Sequence, residues 1–163
     1  MKRIINILTV LFQAGLTLVF TFCVFMIFAL FDYKGGVANF IGMALFQPIA
    51  ALIAAGLTII FCLIIGLPIR MNKQLNIWWR KNFYVSLILT FIGISFCAVS
   101  LVPQFMEEIT YSMEGMDFED SVPNRLLSLV GWFFLSFGTL HLFPPYELQQ
   151  KLENIISSVL QVK

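Results

Sequence analysis

Two groups of charged side chains are dense enough to do chemistry. Residues 104–125, QFMEEITYSMEGMDFEDSVPNR, place Glu107, Glu108, Glu114, Asp117, Glu119 and Asp120 ahead of one cation, Arg125. Carboxylates this close can hold a divalent ion or meet a basic partner, but the spacing is not the D-x-[DN]-x-[DN]-G of a calcium loop. Phe105, Met106, Ile109, Tyr111, Met113, Met116 and Phe118 interleave with the acids. The expected state is a solvated acidic loop; where the segment binds, such a mixture suits a protein partner, as a recognition surface or a short helix lying on the membrane surface, better than a metal. The candidate partner-binding residues are therefore Glu107, Glu108, Glu114, Asp117, Phe118, Glu119 and Asp120, and no metal site is expected.

The second group is cationic. Residues 67–84, LPIRMNKQLNIWWRKNFY, carry Arg70, Lys73, Arg80 and Lys81 with the adjacent Trp78 and Trp79, and no acid. Cations and amphipathic rings together belong at a headgroup layer, as an anchor and orientation signal or as a docking patch for acidic lipid or an acidic partner.

His141 is the only histidine. Inside a membrane span it could relay a proton or ligate a metal, since intramembrane ionisable groups are costly and usually serve a purpose. No second histidine or membrane carboxylate accompanies it, and Pro144 follows within a turn, so hydrogen bonding at the interface is the expected role. Gln13, in the first apolar stretch, is the other member of a candidate intramembrane polar site.

Reactive motifs are missing. The sequence has no Walker loop, GxGxxG, HExxH, CxxC or GxSxG pattern, so phosphate cradling, zinc hydrolysis, dithiol redox and the serine elbow lack their starting residues. Glu107-Glu108 is similar to the acidic pair of some intramembrane peptidases, but Ser112 stands where that pattern needs an arginine. Cys23, Cys62 and Cys97 fall one each in three apolar stretches and read as small packing residues. Neither an enzyme nor a cofactor is expected.

The elements that must position these residues follow from composition. With 163 residues, 60% hydrophobic, 12% charged and 18 phenylalanines, the chain is too apolar to hide its surface inside one soluble domain. Charged residues leave four uncharged stretches, 4–31, 35–69, 82–106 and 126–146. Each is long enough to cross a hydrocarbon core once, at roughly 20 residues per crossing. Unpaired backbone is so costly in lipid that these should be helices. The reading is an all-α integral membrane protein: a four-transmembrane-helix bundle over 1–145 with spans near 6–31, 40–66, 83–103 and 126–144.

Lys and Arg stay preferentially on the cytoplasmic side. One face receives Lys2, Arg3, Arg70, Lys73, Arg80, Lys81, Lys151 and Lys163; the other receives Lys34 and Arg125. Both termini should therefore be cytoplasmic, with 67–82 the cytoplasmic loop and 104–125 the outer loop. The tail, 146–163, carries Leu148, Leu152, Ile155, Ile156, Val159 and Leu160 at helical spacing and is expected to be an amphipathic helix. Small residues let helices approach. The second span is richest in them, so it is the expected central helix, with Gln47, Pro48, Ala51, Ala55 and Gly56 as packing residues and a kink at Pro48.

The function this supports is non-enzymatic: contact with another membrane component, as an accessory subunit of a membrane complex or an immunity-type protein against a membrane-active toxin. A homo-oligomeric channel or small transporter is the alternative, and a membrane enzyme acting on lipid headgroups through His141 and the 70–81 loop is the third. Expected partners are membrane lipid and another membrane protein or further copies of the chain, not nucleic acid. The compact loops suit a bacterial inner membrane.

Overall fold

The computed structural model describes residues 2–31, 37–113, 116–144 and 151. Helix dominates: α1 (Lys2–Phe31), α2 (Val37–Ile65), α3 (Leu67–Met71), α4 (Lys73–Lys81), α5 (Tyr84–Ser100) and α6 (Arg125–Leu140). Between α5 and α6 lie a 3₁₀ turn at Pro103–Phe105 and two strands, β1 (Glu107–Met113) and β2 (Met116–Val122). The tail helix expected over 146–163 and the side chain of Glu114 lie outside the described residues.

By length and composition, Asn6–Phe31 and Phe40–Ile65 can each cross a membrane. The α4–α5 pair, bent by 72° at its junction, is a third candidate if it forms one broken span. α6 is apolar but has 16 residues, about 24 Å at 1.5 Å per residue and short of a core of about 30 Å. The four expected spans thus appear as two long helices, one broken pair and one short helix. Leu11, Phe12 and Phe46 are 63%, 68% and 71% exposed on α1 and α2. Large apolar faces left open this way are compatible with lipid as the surrounding solvent.

Three expectations are corrected. Residues 67–82, expected as a loop, form α3 and α4. Pro68 sits in the first turn of α3, where its missing N–H costs nothing. The Asn72 side chain then caps α4 by accepting from the N–H groups of Gln74 at 2.9 Å and Leu75 at 3.2 Å.

The outer loop, expected to be solvated or a short helix, is an antiparallel hairpin, so the chain is not all-α. Its register pairs Glu107 with Val122, Ile109 with Asp120 and Tyr111 with Phe118. Alternation is the cause: Ile109, Tyr111, Phe118 and Val122 fall on one face of the paired strands, and β-branched and aromatic residues at alternate positions fit a pleated ribbon.

The central helix is α6, not α2. α6 packs on α1, α2 and α5, and it buries Gly131, Leu135, Ser136, Gly138, Thr139 and Leu140. α2 continues through Pro48 as one helix and buries Ala51, Ala55 and Cys62. Of its expected packing residues, Gln47 and Pro48 are half-buried, and a Cβ added at Gly56 would meet nothing within 4 Å.

The tightest approach is between α5 and α6. A Cβ at Gly131 would lie 2.8 Å from the Cys97 backbone nitrogen, and one at Gly138 would lie 2.7 Å from that of Thr90. A Cβ at Gly93 would overlap the Leu135 backbone. Ser86, Gly93, Cys97 and Ser100 are buried on the same helix. Without bulk between them, the two backbones touch directly.

Candidate functional site

α6 ends at His141, where its last carbonyls have no partner within the helix. Four other elements supply those partners. From α1, Gln13 Nε2 donates to the Leu142 carbonyl at 3.0 Å. From α3, Arg70 Nη2 donates to the Leu140 carbonyl at 3.1 Å and to Gln13 Oε1 at 3.0 Å. From α4, Trp79 Nε1 donates to the His141 carbonyl at 3.0 Å and to Ser86 Oγ at 2.8 Å. From α5, Ser86 Oγ donates to the same His141 carbonyl at 2.7 Å. A cation at this position also complements the negative end of the helix dipole.

The His141 ring is held on every side. It is fully buried, stacks on Phe137 at 4.3 Å between centroids, and meets Trp79 edge-on at 6.4 Å. Its Nδ1 lies 2.9 Å from the Phe137 carbonyl, which can only accept, so Nδ1 carries the proton. Nε2 faces Gly66, where an added Cβ would overlap the ring. It has no hydrogen-bond partner among the described residues. Gly66 is therefore required by a close approach rather than by backbone conformation. Gln13 extends the polar line along α1: Thr17 Oγ1 donates to the Gln13 carbonyl and Thr21 Oγ1 to that of Thr17, and all three residues are fully buried.

Two cations share one ring beyond the helix end. The guanidinium carbons of Arg70 and Arg80 lie 5.4 Å and 5.0 Å from the centroid of Phe143, which is itself buried. Burial, and after it the neighbouring Arg80 charge, hold the Arg70 guanidinium below its ordinary value. The guanidinium still remains charged at neutral pH. Of the other expected anchor residues, Lys73, Trp78 and Lys81 are exposed, whereas Trp79 turns inward.

The hairpin lies at the opposite end of the helices, tied there by the Asn124 N–H donating to the Ser100 carbonyl at 3.2 Å. Its two faces differ. Glu107, Ile109, Asp120 and Val122 share a face and are half-buried, while Glu108, Thr110, Glu119 and Ser121 share the other and are exposed. Glu107 is engaged at the start of α6: Oε1 accepts from the Arg125 backbone N–H at 3.0 Å, and Oε2 lies 3.7 Å from Arg125 Nε. An acid there is favourable, because the first N–H groups of a helix lack partners. Asp120 Oδ1 accepts from the Ser121 N–H at 2.8 Å. The outward acidic face therefore includes Glu108 and Glu119 rather than all of the expected acids; nothing is described for the side chains of Asp117 and Phe118.

The sequence-derived candidates Gln13 and His141 thus meet Arg70, Trp79 and Arg80 in one cluster. Cys23, Cys62 and Cys97 are free thiols, the last packed against Gly131. Among the described residues no group of three or more His, Cys, Asp or Glu side chains could hold a metal ion. The sequence reading missed Ser86, Phe143, Gly66 and the α5–α6 glycines. The signal for the last was present: Ser86, Thr90, Gly93, Cys97 and Ser100 recur three and four residues apart, and Gly131 and Gly138 are seven apart. Comparisons with protein-family models, curated proteins and solved structures gave no match.

Proposed function

We propose that this chain is a four-span membrane protein with both termini cytoplasmic, acting by contact with another membrane component through its outer hairpin. An accessory subunit of a complex and an immunity-type protein are the two forms such contact takes. α6 completes the fourth crossing, the short helix being accommodated by local thinning of the bilayer. The observation that carries the reading is the outward face of the hairpin. Glu108, Thr110, Glu119 and Ser121 are exposed on a two-stranded sheet, whose outer edges leave backbone donors and acceptors for a partner strand. A basic, extended segment of a membrane partner has the complementary charge and shape.

Contact is favoured over headgroup chemistry by the burial of His141. Its ring is closed in by Phe137, Trp79 and Gly66, so a substrate has no access to Nε2 in this arrangement.

The test is cross-linked capture from native membranes in mild detergent, comparing the wild type with Glu108→Gln/Glu119→Gln. The reading requires a captured membrane partner whose yield falls at least about fivefold in the double variant, as expected from losing one or two charge-assisted contacts, with membrane insertion unchanged. Equal capture by both proteins would remove the hairpin from the function.

A further inference from the structure

At the hairpin end of the helices, α1, α2 and α6 leave a cleft of about 490 Å³ between them. Its walls are Phe25 and Phe28 of α1, Ala54 of α2, and Leu129 and Trp132 of α6, with Arg125 at one end. From Arg125 to Trp132 is about two turns of α6, roughly 10 Å. Trp132 is pinned from both sides: the Phe25 ring meets it edge-on at 6.3 Å, and its Nε1 donates to Thr58 Oγ1 at 2.9 Å.

The polar side chains along the walls are already engaged inside the protein. Trp132 donates to Thr58, and Ser128 Oγ donates to the Asn124 carbonyl at 2.7 Å. The interior therefore favours an apolar occupant. Leu129 and Arg125 are largely exposed, so the cleft is open along one side. Around that opening Ile27 and Leu30 on α1 and Ile53 and Leu57 on α2 are exposed apolar residues, as expected where lipid is the surrounding medium.

The charged end of the cleft carries both signs. Arg125 Nε lies 3.7 Å from Glu107 Oε2, with 74% of the Arg125 side chain exposed, and the guanidinium fork has further N–H donors for a phosphate. Glu108 and Glu119 stand on the exposed face of the same hairpin. A purely anionic headgroup would meet these carboxylates at a cost. A headgroup with a phosphate and a primary ammonium finds a complement for each charge.

We propose that this cleft binds one acyl chain of a zwitterionic phospholipid of the phosphatidylethanolamine class, with its phosphate on Arg125 and its ammonium on Glu107. The bilayer supplies the chain, and the ion pair at the end of the cleft selects the head. Choline is discriminated against because its quaternary nitrogen has no N–H to donate to a carboxylate. The site is separate from the hairpin face and edges offered to a partner, and it needs no membrane partner.

The test is calorimetric titration of the full-length protein in maltoside detergent with the dioctanoyl forms of phosphatidylethanolamine, phosphatidylcholine and phosphatidylglycerol. The ethanolamine lipid is expected to bind at least about fivefold tighter than either of the others, the scale of one exposed charge-assisted hydrogen bond. Glu107→Gln, whose amide oxygen can still accept from the Arg125 N–H, is expected to lose that preference. Arg125→Gln should weaken all three lipids, and Ala54→Phe, which fills the cleft, should abolish their binding. Equal binding of the three lipids by the wild type would overturn the proposal, as would an undiminished preference in Glu107→Gln. Undiminished lipid binding by an Ala54→Phe protein that melts like the wild type would also overturn it, and a simultaneous loss of partner capture in that variant would assign the cleft to a partner's helix instead.

Discussion

The α5–α6 pair and the α1–α2 pair are both apolar, yet they are held by opposite means. In α5–α6 the backbones meet, and Gly93, Gly131 and Gly138 leave no space for even a Cβ. In α1–α2, a Cβ added at Gly15, Gly42 or Gly56 would meet nothing within 4 Å, and large side chains such as Leu11, Phe12 and Phe46 face outward. The difference shows that the number of small residues in a helix does not set its place in a bundle. What sets it is whether small residues on one helix face small residues on the next at a shared spacing. α2 has more of them, but α6 is at the centre.

The contrast can be broken at its strongest point by Gly131→Leu. Four carbons inserted between two touching backbones should cost about 3 kcal/mol or more, the upper range of overpacking. The monodisperse peak in size-exclusion chromatography in detergent should be lost, while Gly15→Leu keeps it. If both variants run alike, the two pairs do not differ.

A smaller loss is expected from Gln13→Leu, which takes the partner from the Leu142 carbonyl and from one Arg70 N–H. Two part-buried polar groups left without partners should cost about 2 kcal/mol, read as a lower midpoint in thermal melting followed by tryptophan fluorescence. Trp79→Phe sharpens this further. The His141 carbonyl keeps its bond from Ser86, so the expected cost is about 1 kcal/mol. The smallest effect belongs to Glu107→Gln at the hairpin end. The amide oxygen still accepts from the Arg125 N–H, and only an exposed ion pair is lost, worth about 0.5 kcal/mol or less. A large destabilisation there would mean that the hairpin end is as tightly organised as the cationic end.

How much of this was readable beforehand depends on the element. The long helices α1 and α2 follow from unbroken apolar runs, and their described bounds fall close to the expected ones. The bend between α4 and α5 was hidden because KQLNIWWRK reads as a charged loop. Its helix is set by the Asn72 cap and by one apolar edge, a short-range signal that charge counting passes over. The hairpin was hidden for a similar reason: its acids dominate a composition reading, and the alternation that makes it a ribbon lies beneath them. Gln13, Arg70, Trp79, Arg80 and His141 could each be singled out from sequence by being polar, charged or amphipathic where lipid or headgroups are expected. That Gln13, Arg70, Trp79 and His141 converge on the end of α6 could not be read, since they meet only through tertiary packing.

The proposed function depends on the acidic hairpin and the cationic cluster standing on opposite sides of a membrane. Single cysteines at Ser121 and at Gln74, both exposed, in a protein whose three native cysteines are replaced by alanine, would report this through a membrane-impermeant maleimide. Labelling at Ser121 in intact cells, with labelling at Gln74 only after the membrane is opened, is the expected result. Labelling of both positions in intact cells, or of neither, would contradict the account.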